Sequence, residues 1–142
     1  MQQDSSSNPP ASPGPEPLLQ APLPGSRVRY GRLYSSSDAL ALAQLAQARG
    51  PLAVITANAL DAQRLAEEIR WFAPKLAVHL FPDWETLPYD TFSPHQDLVS
   101  ERLATLYQVM RRACDVLVAP VATALYRLPP AEYLAAYTFF LK

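Results

Sequence analysis

Residues 81–108 read FPDWETLPYDTFSPHQDLVSERLATLYQ, and the rest of the chain is arranged around them. Between Phe81 and Asp97 this stretch holds three prolines, four aromatic residues and four acids. Pro82, Pro88 and Pro94 each fix φ and remove a backbone donor, which argues against regular helix or inner strand. Trp84, Tyr89 and Phe92 are too large and apolar to stand wholly in water. The stretch therefore reads as a long loop pinned by aromatics, the kind of connection that carries function on an α/β scaffold.

Working outward, elements of alternating type flank the loop. Upstream, Leu76–Phe81 reads as a strand, Ala59–Phe72 as a helix capped by Asn58, and Leu52–Thr56 as a short β-branched strand. Before these, Ser35, Ser36, Ser37 and Asp38 offer N-caps for a helix over Ala39–Arg49, with Leu40, Leu42 and Leu45 expected inside and Gly50-Pro51 as its stop. Arg27–Tyr34 alternates loosely and suits an edge strand. Downstream, Asp97 is the expected N-cap of a helix over Leu98–Arg112, whose Val99, Leu103, Leu106 and Met110 form its apolar face. Asp115–Ala119 is the most strand-like run, and Val121–Leu128 gives one or two helical turns before Pro129-Pro130. Strands that are continuously apolar and alternate with helices imply an α/β fold, a partial parallel sheet flanked by helices.

The chain divides into three regions. Residues 1–26 hold seven of the 15 prolines, with Ser5, Ser6 and Ser7, and are expected to be a disordered tail because they bury too little to offset ordering. Residues 27–128 form the α/β domain. Residues 129–142 open a following domain, and Tyr137–Lys142 reads as an apolar strand without a partner, as at the front of a longer polypeptide.

A length of 142 residues suits one domain. The net charge of −1 argues against a strong non-specific grip on nucleic acid. The lone Cys114 forms no internal disulfide, which fits a cytoplasmic protein. No run of about 18 apolar residues suggests a membrane span, and no signal-peptide pattern opens the chain.

Chemistry is sparse. A phosphate loop needs glycines, a lysine and a hydroxyl at fixed spacing. The turn Leu33–Leu40 has no glycine or lysine, and Asp38 there repels phosphate. His79, His95 and Cys114 lack metal-ligand spacing. Ser93, His95 and Asp97 lack the strained turn and oxyanion hole of a hydrolase and read as turn and cap residues. For Asp83, Glu85, Asp90 and Asp97 two readings stand side by side. In one they are solvated acids that cap helices and pair with arginines such as Arg102. In the other they belong to a partner or interdomain surface anchored by Trp84 and Tyr89. Arg111 and Arg112 suit the end of a helix by its dipole.

The run FPDWETLPYDTFSPHQDLVSERLATLYQ resembles the N-terminal UvrB-like module of the bacterial transcription-repair coupling factors. Pro51–Pro74 and Asp115–Leu134 extend the resemblance to about 110 residues, Leu33 to Lys142. It implies a UvrB-like fold that has lost its nucleotide site, with no cofactor here; ATP and magnesium would belong to motor domains elsewhere. It also implies that Trp84, Pro88, Tyr89, Asp90, Phe92, Pro94, His95, Asp97, Arg102 and Tyr107 form a motif serving packing or a partner interface. UvrB carries a DNA-inserting β-hairpin between its aromatic loop and the next helix, for which this chain has no room. By resemblance the whole protein is an ATP-driven DNA translocase that displaces stalled RNA polymerase and recruits UvrA. This segment would then be its non-catalytic scaffold, contacting other domains. The alternative is a free-standing α/β adaptor for a protein partner. Titration calorimetry of the purified chain with ATP and magnesium should give no saturable heat; micromolar affinity would overturn the reading of Leu33–Leu40.

Overall fold

The structure, a computed structural model, describes residues 18–84 and 96–137. Its elements run α1 (Ser37–Arg49), β1 (Leu52–Thr56), α2 (Ala59–Phe72), β2 (Val78–Leu80), α3 (Gln96–Met110), β3 (Val116–Pro120), α4 (Val121–Ala124) and α5 (Ala131–Tyr137). The strands form one parallel sheet in the order β1-β3-β2, with Val54 and Leu80 both opposite Val118. This is the expected α/β fold, with a small parallel sheet and flanking helices.

The order dictates where the helices go. The chain passes from β1 over β3 to β2, then steps back to β3. Right-handed crossovers in opposite directions along a sheet place α2 on one face and α3 on the other. On the α2 face, Val78, Val116 and Val118 are buried and Leu52, Val54 and Leu80 pack beside them. Ala62, Leu65, Ala66 and Ile69 of α2 complete that layer, and Ile69 has no exposed surface.

Helix ends match the sequence closely at α2. The Asn58 side chain accepts from the Asp61 amide at 2.8 Å and donates to the Asp61 carboxylate at 2.9 Å. This satisfies one of the orphan donors of the first turn. At the end of α1, the Gly50 amide returns to the Ala46 carbonyl with φ at +89°, a conformation that suits glycine. At the end of α3, the amides of Arg112 and Ala113 return to the carbonyls of Val109 and Gln108. That is a Schellman closure with Arg112, not glycine, in the left-handed position (φ 55°).

Several expectations are corrected. Arg27–Tyr34 is not a strand; Val28, Tyr30, Leu33 and Tyr34 are all exposed, so neither parity of the run makes a face worth burying. In α1 the buried residues are Ala39, Ala41, Ala43 and Ala46, while Leu40, Leu42 and Leu45 are half-buried. Small side chains let α1 lie close to α2, and the leucines cover the margin. Helix α1 starts at Ser37, and the Ser36 cap position makes no side-chain bond. Helix α3 starts at Gln96, which puts Asp97 inside the first turn rather than at the cap. Strand β2 is shorter than expected, though the Phe81 amide still donates to the Val118 carbonyl at 2.8 Å. Tyr137 ends α5 and does not begin a strand; residues 138–142 lie outside the described residues. The tail expected before Arg27 is not among the corrections: residues 18–26 form neither helix nor strand, though Leu19 is buried and the Leu18 amide donates to Gln44 of α1 at 3.0 Å.

Among the described residues, one buried side-chain oxygen lacks a partner. The Thr123 hydroxyl, in a residue 1% exposed just past the end of β3, makes no hydrogen bond. Thr123→Val keeps the shape and removes the orphan, so a urea melt should show stability unchanged or raised by about 1 kcal/mol. Ile69→Ala should cost roughly 2–5 kcal/mol in the same assay.

Candidate functional site at the root of the central loop

The carboxyl end of β2 delivers Phe81, Pro82, Asp83 and Trp84, and the middle turns of α3 deliver Arg102 and Thr105 to the same place. Arg102 is only 4% exposed. Its guanidinium lies 4.1 Å from the Phe81 ring centre and 4.2 Å from that of Trp84. Its Nη1 also donates to the Pro82 carbonyl. One turn on, the Thr105 hydroxyl donates to the Leu80 carbonyl at 3.2 Å. Two side chains of α3 thus tie the helix to the last residues of β2 and the first of the loop.

Burying a cation costs several kcal/mol unless its surroundings repay it. Desolvation pulls the Arg102 pKa below its ordinary value, and the negative charge of Asp83 opposes this. The guanidinium stays charged, since arginine is not deprotonated in proteins. Two ring faces and a carbonyl supply what water would have given, and a desolvated cation–π contact is worth about 2 kcal/mol. The arrangement can clamp the chain leaving β2 against α3.

Of the motif residues read from the sequence, Trp84 and Arg102 come together here. Asp97 sits in the first turn of α3 and is exposed. Tyr107 points elsewhere: its hydroxyl accepts from Arg111 at 3.2 Å, with the guanidinium 5.5 Å from the ring centre. Pro88, Tyr89, Asp90, Phe92, Pro94 and His95 lie outside the described residues. Sequence reasoning places Arg102 opposite loop acids and misses Phe81 and Thr105. The available signal is the spacing of three between Arg102 and Thr105, which puts both on one helix face.

The remaining candidates are scattered. Among the described residues, no group of three or more His, Cys, Asp and Glu could hold a metal. Cys114 is buried, and desolvation together with Asp115 pushes its thiol above the ordinary range. The carboxylate of Asp115 is engaged structurally, accepting from the Ala77 amide at 2.7 Å. No helix among the described residues is long and apolar enough to cross a membrane.

No family model matches the chain. Individual proteins do. It is 39% identical over 119 residues to the transcription-repair-coupling factor of Escherichia coli (strain K12), a match covering 83% of this chain and 10% of that protein. With the protein of the same name from Haemophilus influenzae it shares 35% over 120 residues, 84% of this chain and again 10% of the relative. The Mycobacterium tuberculosis factor is 42% identical over 83 residues, 58% of this chain and 7% of that protein. Over the matched stretch, the chain belongs to the transcription-repair-coupling factor family. It spans about a tenth of the length of the first two of these relatives.

In this coupling-factor segment the turn Leu33–Leu40 leads into α1 from a run outside the sheet. Its acid, Asp38, is occupied. One carboxylate oxygen accepts from the Ala39 amide at 2.7 Å, and the other meets Arg64 of α2 at 2.9 Å. Arg64 also pairs with Glu68 at 2.9 Å. Burial raises the Asp38 pKa, but the bonds from Arg64 and Ala39 and the arginine's charge outweigh it, leaving the carboxyl below its ordinary value. A carboxylate depressed on folding adds stability above the unfolded pKa, and that stability is lost as pH falls through the folded one. Because the pair is partly exposed, the contribution should be about 1 kcal/mol or less. The stability difference between wild type and Asp38→Asn, measured by urea melts, should therefore be full above about pH 5 and shrink toward pH 2.

Proposed function

We propose that this chain is the non-catalytic N-terminal scaffold of a transcription-repair coupling factor. The observation that carries the reading is the 39% identity over 119 residues to a protein bearing that name. The site chemistry supports it: motif residues Trp84 and Arg102 are spent on holding the chain together, with neither acting as a reactive group. In this reading ATP hydrolysis, DNA translocation, displacement of RNA polymerase and recruitment of UvrA belong to the whole protein, which works in the cytoplasm. The segment supplies a rigid platform and an interdomain surface around the central loop.

The test is a chimera in which this chain replaces the matched stretch of the Escherichia coli factor. Ultraviolet survival and strand-specific repair in a strain lacking its own factor should be restored. A full-length, well-expressed chimera that fails to restore either would overturn the scaffold reading. If the chain alone captured a repair protein and the chimera failed, the free-standing adaptor would take its place.

A further inference from the structure

We propose that α3, together with α5, is a hinged flap over the second face of the sheet, latched at its middle by Arg102. The inference is independent of the family assignment. It begins with how α3 is held. The stripe of α3 that faces the sheet is Arg102, Thr105 and Val109, at spacings of three and four. Its first half is polar and bonds to the carbonyls of Pro82 and Leu80. Its second half faces a cavity of about 470 Å³, bounded by Val109 and Arg112 on the helix side, Ala53 and Leu117 on the sheet, and Cys114 beside them. Helix α3 is thus fastened at its middle turns and stands off the sheet near its end.

The two faces of the sheet differ accordingly. The α1–α2 face is close-packed, with Val116, Val118 and Ile69 fully buried. On the α3 face Ala53 is exposed and Ile55 is 54% exposed. Among the described residues, α3 packs most extensively against α5, where Leu134 is buried. A helix end that faces a cavity open to solvent forgoes the packing contacts of a filled interface, so its local opening is easier than global unfolding. The left-handed Arg112, at the turn from α3 into β3, lies beside the cavity and marks the pivot. Through this lever, a pull on α5 reaches the ring clamp at the root of the central loop.

Cys114 reports on the flap, because it is the chain's one cysteine and is 8% exposed beside the cavity. The experiment monitors its reaction with an aromatic disulfide reagent in the full 142-residue chain, alongside amide exchange of α2 and α3. Wild type is compared with Arg102→Met, which removes the latch, and with the milder Thr105→Val. The flap requires Cys114 labelling to accelerate about tenfold or more in Arg102→Met and less in Thr105→Val. Protection should fall in α3 while α2 keeps its own. Unchanged labelling in both variants would overturn the proposal. So would labelling that rises only in step with lost α2 protection, since that is global unfolding.

Discussion

Strand β3 lies between β1 and β2, and its inward valines, Val116 and Val118, have no exposed surface. The last strand in sequence sits in the middle of the sheet, so neither earlier strand has its neighbour until β3 arrives. Each connection must therefore cross a face, and the two crossings use opposite faces. From that constraint come the close-packed α1–α2 side, the position of α3 on the other, and the meeting of β2's carboxyl end with the middle turns of α3. Non-local pairing of this kind is closed only after long loops have been ordered.

Much of this was legible in the sequence, for physical reasons. Strand β1 and helix α2 agree with their sequence reading to the residue, because Pro51, Asn58 and Pro74 punctuate them and a cap bond fixes the start. Helix α1 was legible as a helix, but its orientation was not: four alanines, not three leucines, face inward. Hydrophobicity ranks leucine first, whereas close approach of two helices favours the smaller side chain. Arg27–Tyr34 alternates like a strand, yet it has β-like residues without a buried face to give them.

Of the clamp, the participants Trp84 and Arg102 stood among the motif residues read from the sequence, and their wiring was not legible. The apolar stripe Val99, Leu103, Leu106 and Met110 pointed to an ordinary amphipathic helix, yet the two buried residues of α3 are Arg102 and Thr105. A buried arginine is unreadable from periodicity, because what offsets its desolvation is two rings and a carbonyl about 20 residues away in sequence. Only the fold brings them together.

The two tryptophans lie in unlike surroundings. Trp71, on the outer side of α2, is 78% exposed, its ring edge-on to Phe72 at 4.9 Å between centres. Trp84 is half-buried against a guanidinium. Their emission should accordingly split into a red-shifted component open to ionic quenchers and a bluer one less open to them. The molecule therefore carries its own optical ruler, with one chromophore reading solvent on the well-packed side and the other reading the junction between sheet and loop.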